Sequence, residues 1–243
     1  MGNSNNGYVT VQKLSDYSKL LETILKYNQD FGNHYINAMI GYSWQYFYDE
    51  GQTTKAYGFL SDNFKWYSLA AAQTVESISS YAESNTLISM YGRVNYNFAD
   101  KYLLTATVRR DGSSRFGSGN KWGIFPSVAA SWRISQEDFF RNDVVSDLKL
   151  RASFGITGSQ EIGNYNSLST LGALSNGYLI GGKKITIVLP QQYTNPDLKW
   201  EQTAQTDIGI DFGLLNGKSE VASIGTIKEP PIFFYQWQYL HLL

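Results

Sequence analysis

Few side chains in these 243 residues are of the types that do chemistry. The chain has two histidines, His34 and His241, and no cysteine. Neither histidine has an Asp, Glu or second His at metal-ligand spacing, and a Ser/His/Asp site has almost nothing to draw on. His34 reads as a solvated residue at the start of a strand. Gly112, Gly117 and Gly119 before Lys121 outline a phosphate loop only superficially, because Ser118 stands where the Walker spacing requires Lys and no helix pattern follows. Asp49, Glu50 and Asp62 offer oxygens to calcium, but a solvated acidic face explains them more simply. Asp207 and Asp211 share one face of a strand, where they tune electrostatics rather than act as acid and base. No enzyme and no cofactor is expected.

The elements carrying these residues are strands. From His34 to Tyr48 the even positions are His34, Ile36, Ala38, Ile40, Tyr42, Trp44, Tyr46 and Tyr48, with Asn37, Gly41, Ser43 and Gln45 between them. The same even-apolar pattern returns in 88–98, 102–108, 122–134 and 148–156. Side chains in a strand alternate between faces, so each segment has an oily and a polar side. Strands are expected at roughly 17–28, 33–49, 86–98, 101–111, 121–135, 147–157 and 200–213. Tight turns are expected at Asp30–Asn33, Ala99–Asp100 and Leu215–Lys218, with a compact link at 136–146. The connections 50–85, 112–120 and 158–199 are long and rich in Gly, Ser, Asn and aromatics.

Short turns alternating with long loops describe an antiparallel meander whose two ends meet different surroundings, as in outer-membrane barrels. A soluble sandwich also alternates. Two features favour the barrel. Several strands reach the roughly 9–11 residues needed to cross a bilayer. Aromatics on the apolar face also gather at strand ends: Tyr46, Tyr48, Trp122 and Trp200 at one, Tyr96, Phe98, Tyr102, Trp132 and Phe212 at the other. The opposite face carries Arg93, Asn95, Asn97, Thr105, Thr107, Arg109, Lys149, Arg151, Asp207 and Asp211, which suit a wet lumen and not a dry core. Aromatics are 15% of the chain against 17% charged residues, and 20 basic residues nearly cancel 21 acidic ones, which recommends no nucleic-acid partner. No apolar run reaches the roughly 18 residues of a membrane helix.

Several phrases resemble the SusC/RagA family of TonB-dependent outer-membrane transporters. They are Tyr91 to Gly117, ending Asp111-Gly-Ser-Ser-Arg-Phe-Gly117; Phe125-Pro-Ser-Val-Ala-Ala-Ser-Trp-Arg-Ile-Ser135; Leu148 to Gln160; Asn195-Pro-Asp-Leu-Lys-Trp200; and Asp207-Ile-Gly-Ile-Asp-Phe-Gly213. The resemblance covers roughly 17–217. It implies part of a large plugged barrel in the outer membrane, importing oligosaccharides or peptides. It also implies a SusD-like surface lipoprotein and the TonB complex as partners. About seven strands are then an arc of a wall of some 22.

The expected organisation is a leading segment 1–16, a partial barrel 17–217 and an anomalous tail 218–243. In the tail, Glu229-Pro-Pro and a non-alternating aromatic run suit neither strand nor turn, as a frameshift near 218 would produce. The loop aromatics Tyr57, Phe59, Phe64, Trp66 and Tyr67 suit sugar faces, a partner lipoprotein or simple loop packing. The competing reading of the whole chain is a surface-exposed β adhesin or carbohydrate-binding module, which needs a soluble core and a polar exterior.

Overall fold

The computed structural model describes residues 7–61, 63, 66–140, 144–174, 179–181, 183–185, 187–214 and 219–229. Strands dominate: β1 Tyr8–Phe31, β2 His34–Phe59, β3 Ala72–Phe98, β4 Tyr102–Ser113, β5 Trp122–Arg133, β6 Val145–Ser159, β7 Thr170–Leu174, β8 Leu179–Ile180, β9 Lys183–Lys184, β10 Ile187–Gln192, β11 Glu201–Leu214 and β12 Ser219–Lys228. One eight-stranded sheet has the order β1-β2-β3-β4-β5-β6-β11-β12, so successive long strands are neighbours. Every pairing from β3 through β12 is antiparallel. The fold is all-β.

The seven expected strands are present, with three corrections. The connection expected over 50–85 is mostly strand, because β2 runs on to Phe59 and β3 begins at Ala72. Those stretches are rich in Thr, Ser and Gln, which pair through the backbone without an apolar stripe to betray them. The long link 158–199 carries a small antiparallel ribbon in which β7 pairs with β10. The strand pattern also continues past Gly217, for β12 pairs with β11 from Leu214–Ser219 to Gln205–Lys228. The turn expected at 215–218, and residues 230–243 with His241, lie outside the described residues.

Chain contacts divide the molecule into two units, residues 1–20 with 45–86 and residues 21–44 with 87–243. In the first unit Tyr17 stacks on Tyr48 at 5.1 Å and lies 6.1 Å from Tyr46. Tyr81 lies over Gly51 beside Leu14.

The second unit is two-faced. Val94, Leu104, Val108, Ile124, Val128, Leu150, Phe154, Ile208 and Ile210 share one side by register and are all exposed. A water-soluble sheet would bury such a surface. Local chemistry sets the strand ends. The β3–β4 turn has Ala99 at φ 52° and Asp100 at φ 57°, the two positive values of a type I′ hairpin. Pro126 pairs with Val108 of β4, whereas the β5–β6 pairing ends at Ser127–Gly155, next to the proline that has no N–H to donate.

Core packing in this unit concentrates where the family-like phrases meet. Phe116, Phe125 and Trp200 are buried together, with Leu87, Ile156, Ile162 and Leu198 against them. Trp200 lies 5.0 Å from Phe116 and meets Phe125 edge-on at 5.3 Å, and its indole Nε1 donates to the Lys121 carbonyl. Trp200 is thus a core residue and not the exposed belt residue its parity suggests. Ile156 is likewise half-buried against this cluster.

Candidate functional site

The face opposite the apolar one is built from short polar side chains and a few ions. On β1 to β4 they form a line across the strands. Asn37 Nδ2 donates to Asn28 Oδ1, Asn95 Nδ2 to Asn37 Oδ1 at 2.8 Å, and Thr105 Oγ1 to Asn95 Oδ1 at 2.9 Å. Beside this line, Arg93 Nε donates to Thr107 Oγ1 at 3.2 Å.

A second knot centres on Arg109. Its Nε donates to both Asp111 oxygens at 2.8 and 2.7 Å, and its Nη2 donates to the buried Ser89 hydroxyl at 2.8 Å. The guanidinium stands 5.6 Å from the Tyr91 ring, whose hydroxyl donates to Glu22 at 2.8 Å. The one guanidinium thus bonds Asp111 directly and faces the ring whose hydroxyl serves Glu22.

The third group lies on β6 and β11. Arg151 Nε is 3.1 Å from Asp211 and Lys149 Nζ 4.0 Å. Asp207 instead accepts from neutral donors, Ser153 at 3.2 Å, Thr226 at 2.7 Å and Gln205 at 3.0 Å. Lys149, Arg151, Asp207, Thr105, Ser131 and Ile224 line an open hollow of about 320 Å³. All seven polar-face candidates therefore sit on one side of the sheet, each hydrogen-bonded or ion-paired. The arrangement can hold water and polar solutes along a wall. Among the described residues no group of three His, Asp or Glu could hold a metal ion.

The aromatic candidates separate. Trp66 and Tyr67 are on the β2–β3 connection as expected, 61% and 69% exposed, with ring centroids 4.7 Å apart. Tyr57 and Phe59 are not loop residues, since both lie on β2, Tyr57 half-buried and Phe59 8% exposed. Phe59 packs over Gly7. Phe64 and Asp62 lie outside the described residues, so the acidic trio is described only at Asp49 and Glu50. Glu50 accepts a hydrogen bond from Tyr48 at 3.0 Å. His34 is exposed, and its ring joins the strand-end aromatics, 4.8 Å from Phe98, with Nδ1 2.7 Å from the Tyr96 hydroxyl.

Two constellations escape sequence reasoning. Glu137, in the turn after β5, accepts from Tyr102 at 2.6 Å, from Trp132 Nε1 at 3.0 Å and from Lys101 at 3.0 Å. These three donors hold its carboxyl down at about 2, below the usual carboxylate range. Lys101, paired with Glu137, is correspondingly raised. Arg115 clamps two loops, donating to Asn164 Oδ1 at 2.9 Å and the Gln160 carbonyl at 3.1 Å. Gly117 has a packing role in the same region, because a Cβ there would meet the Pro196 carbonyl. An aromatic pair preceding a turn acid could have hinted at Glu137; nothing local announces Arg115.

The family model described as TonB dependent receptor-like, beta-barrel, matches residues 2–224. The TonB-dependent receptor SusC of Bacteroides thetaiotaomicron is 37% identical over 221 residues, 88% of this chain and 21% of that protein. The TonB-dependent receptor P3 of Formosa agariphila is 35% identical over 231 residues, 94% of this chain and 23% of that protein. Among solved structures, the RagAB peptide transporter aligns with a TM-score of 0.80 at 26% identity, covering 90% of this chain and 24% of that one. The chain therefore spans about a quarter or less of the length of the relatives it matches.

Proposed function

This chain belongs to the TonB-dependent receptor-like β-barrel family, and from that membership we propose that it forms eight strands in the wall of an outer-membrane importer. The observation that carries the reading is the two-faced sheet. A continuous exposed apolar face suits lipid, and the hydrogen-bonded polar face suits a water-filled passage. In this reading Arg93, Asn95, Arg109, Lys149, Arg151, Asp207 and Asp211 face the lumen and set its electrostatics. The substrates are oligosaccharides or peptides, the two classes the SusC/RagA resemblance implies, and likeness to the RagAB peptide transporter supports the second.

The protein performs no chemistry on its substrate. A SusD-like lipoprotein covers the long-loop end, and the TonB complex supplies energy from the other side. Trp66 and Tyr67, neighbouring exposed aromatics on a loop, suit contact with that lipoprotein or the substrate.

The test is deletion of the gene encoding this chain in its host, followed by uptake of fluorescent oligosaccharides and of labelled peptides. Loss of uptake of one class, restored by the complete gene, supports the reading. Recovery of the protein in the soluble fraction, or undiminished uptake of every class offered, overturns it.

A further inference from the structure

Two cations on the polar face of the second unit stand apart from its acids. Alternation fixes their side. On β1, Glu22 receives the Tyr91 hydroxyl and Asn28 receives the Asn37 amide, so Lys26 between them faces the same way. On β3, Arg93 lies between Tyr91 and Asn95 and donates through Nε to Thr107. Met39 of β2, whose carbonyl lies beside Gly92, stands between the two cations. Two strand spacings put their backbones about 10 Å apart, a gap that two long side chains close from either side.

Among the described residues neither cation has an ion pair, and the terminal nitrogens of Arg93 carry no hydrogen bond. Other cations of this face differ, for Arg109 is held by Asp111, and Lys149 and Arg151 by Asp211. The acids nearest Lys26 on its own strand face are Glu22 and Asp30, each four residues away. That is about 13 Å along a strand. Glu22 is engaged by Tyr91, and Asp111 of β4 by Arg109.

We propose that Lys26 and Arg93 form a binding site for the carboxylate or sulfate group of an acidic oligosaccharide passing along the wall. The proposal rests on the importer reading and narrows its substrate class. An internally neutralised pair offers a solute only a dipole, whereas these two cations keep their charge for a mobile anion. The free edge of the guanidinium matches two oxygens of a carboxylate or sulfate, and the ammonium adds a point charge from the other side. Both cations are exposed, so water moderates the attraction and the ligand can leave again. The neighbours on β1 to β4 favour a sugar over an acidic peptide. Asn28, Asn37, Asn95, Thr105 and Thr107 offer amides and hydroxyls to ring hydroxyls, and Met39 is the one apolar side chain among them.

The experiment uses the complete transporter, purified in detergent and labelled. It is applied to a printed array of neutral, uronate-bearing and sulfated oligosaccharides and of acidic and neutral peptides. The tightest ligands are expected to be acidic oligosaccharides, and calorimetry then gives their affinities. Lys26→Gln and Arg93→Gln should each weaken binding by about tenfold, and Arg93→Lys should keep most of it. Raising the salt concentration should weaken binding to the wild type more than to either Gln variant. Altered mobility of unheated protein on gels confirms that each variant is folded. Preference for neutral oligosaccharides or for acidic peptides, absence of binding to every acidic oligosaccharide, or unchanged affinity in both Gln variants overturns the proposal. Undiminished uptake of every oligosaccharide and peptide by cells lacking the gene defeats the importer reading instead.

Discussion

Tyr91 lies across Gly41, so close that a Cβ on residue 41 would overlap its ring. The bare glycine lets the phenol cross β2 and reach Glu22 on β1. The same pairing recurs with Trp122 over Gly112 and Tyr81 over Gly51. Glycine weakens a strand by itself, and a ring laid over it restores packing and pins the register.

Gly41→Ala is therefore expected to destabilise by about 1–3 kcal/mol, the usual range for overpacking. In a Tyr91→Ala background the same change should be close to neutral. Thermal melts of the complete transporter in detergent, arranged as a double-mutant cycle, check this. Equal costs in both backgrounds would refute the coupling.

Trp200→Ala removes the centre of the only all-aromatic buried cluster among the described residues. A loss of about 3–5 kcal/mol is expected. Limited proteolysis should then cut first in the loop stretches around Phe116, Ile162 and Leu198, which pack in that cluster. A melt within about 0.5 kcal/mol of wild type, the range of an ordinary surface change, would show that the cluster is dispensable.

Ala99 occupies a left-handed conformation at φ 52° that favours glycine or asparagine. Ala99→Gly keeps the N–H that donates to the Asn33 carbonyl and should stabilise by about 0.5–1 kcal/mol. A raised melting temperature is the readout, and a lowered one contradicts the argument.

Glu137 gives a pH prediction. Its folded value of about 2 lies below the unfolded 4.5, so its contribution is complete above about pH 4.5 and is lost as pH falls through about 2. Glu137→Gln should flatten the dependence of stability on pH across that window and, because Glu137 also raises Lys101, flatten the loss of stability above about pH 10.5 as well. Melts across both windows compare the two proteins.

Much of the fold was legible because alternation reports the face of each residue directly. Val108, Val128 and Ile208 show their side of the sheet from parity alone, and Asp30–Asn33 and Ala99–Asp100 show their turns from composition and spacing. The outward halves of β2 and β3 were not legible. Gln52 to Lys55 and Gln73 to Ser80 carry little apolar contrast, and only backbone pairing with neighbours makes them strands. The polar-face residues could be named, but not their partners. That Arg151 serves Asp211 while Asp207 takes neutral donors depends on inter-strand register.

The amino-acid sequence alone determined that strands divide two environments, which residues belong to each, and the family those phrases resemble. The reason is that a period of two is written locally, in residues one and two apart. Tertiary structure decided what stands across each strand. It took Trp200 from the belt into a core with Phe116 and Phe125, gathered Tyr102, Trp132 and Lys101 around Glu137, and placed Arg110 on Trp122. Those relations join residues far apart in the chain, and only the pairing of strands brings them within contact.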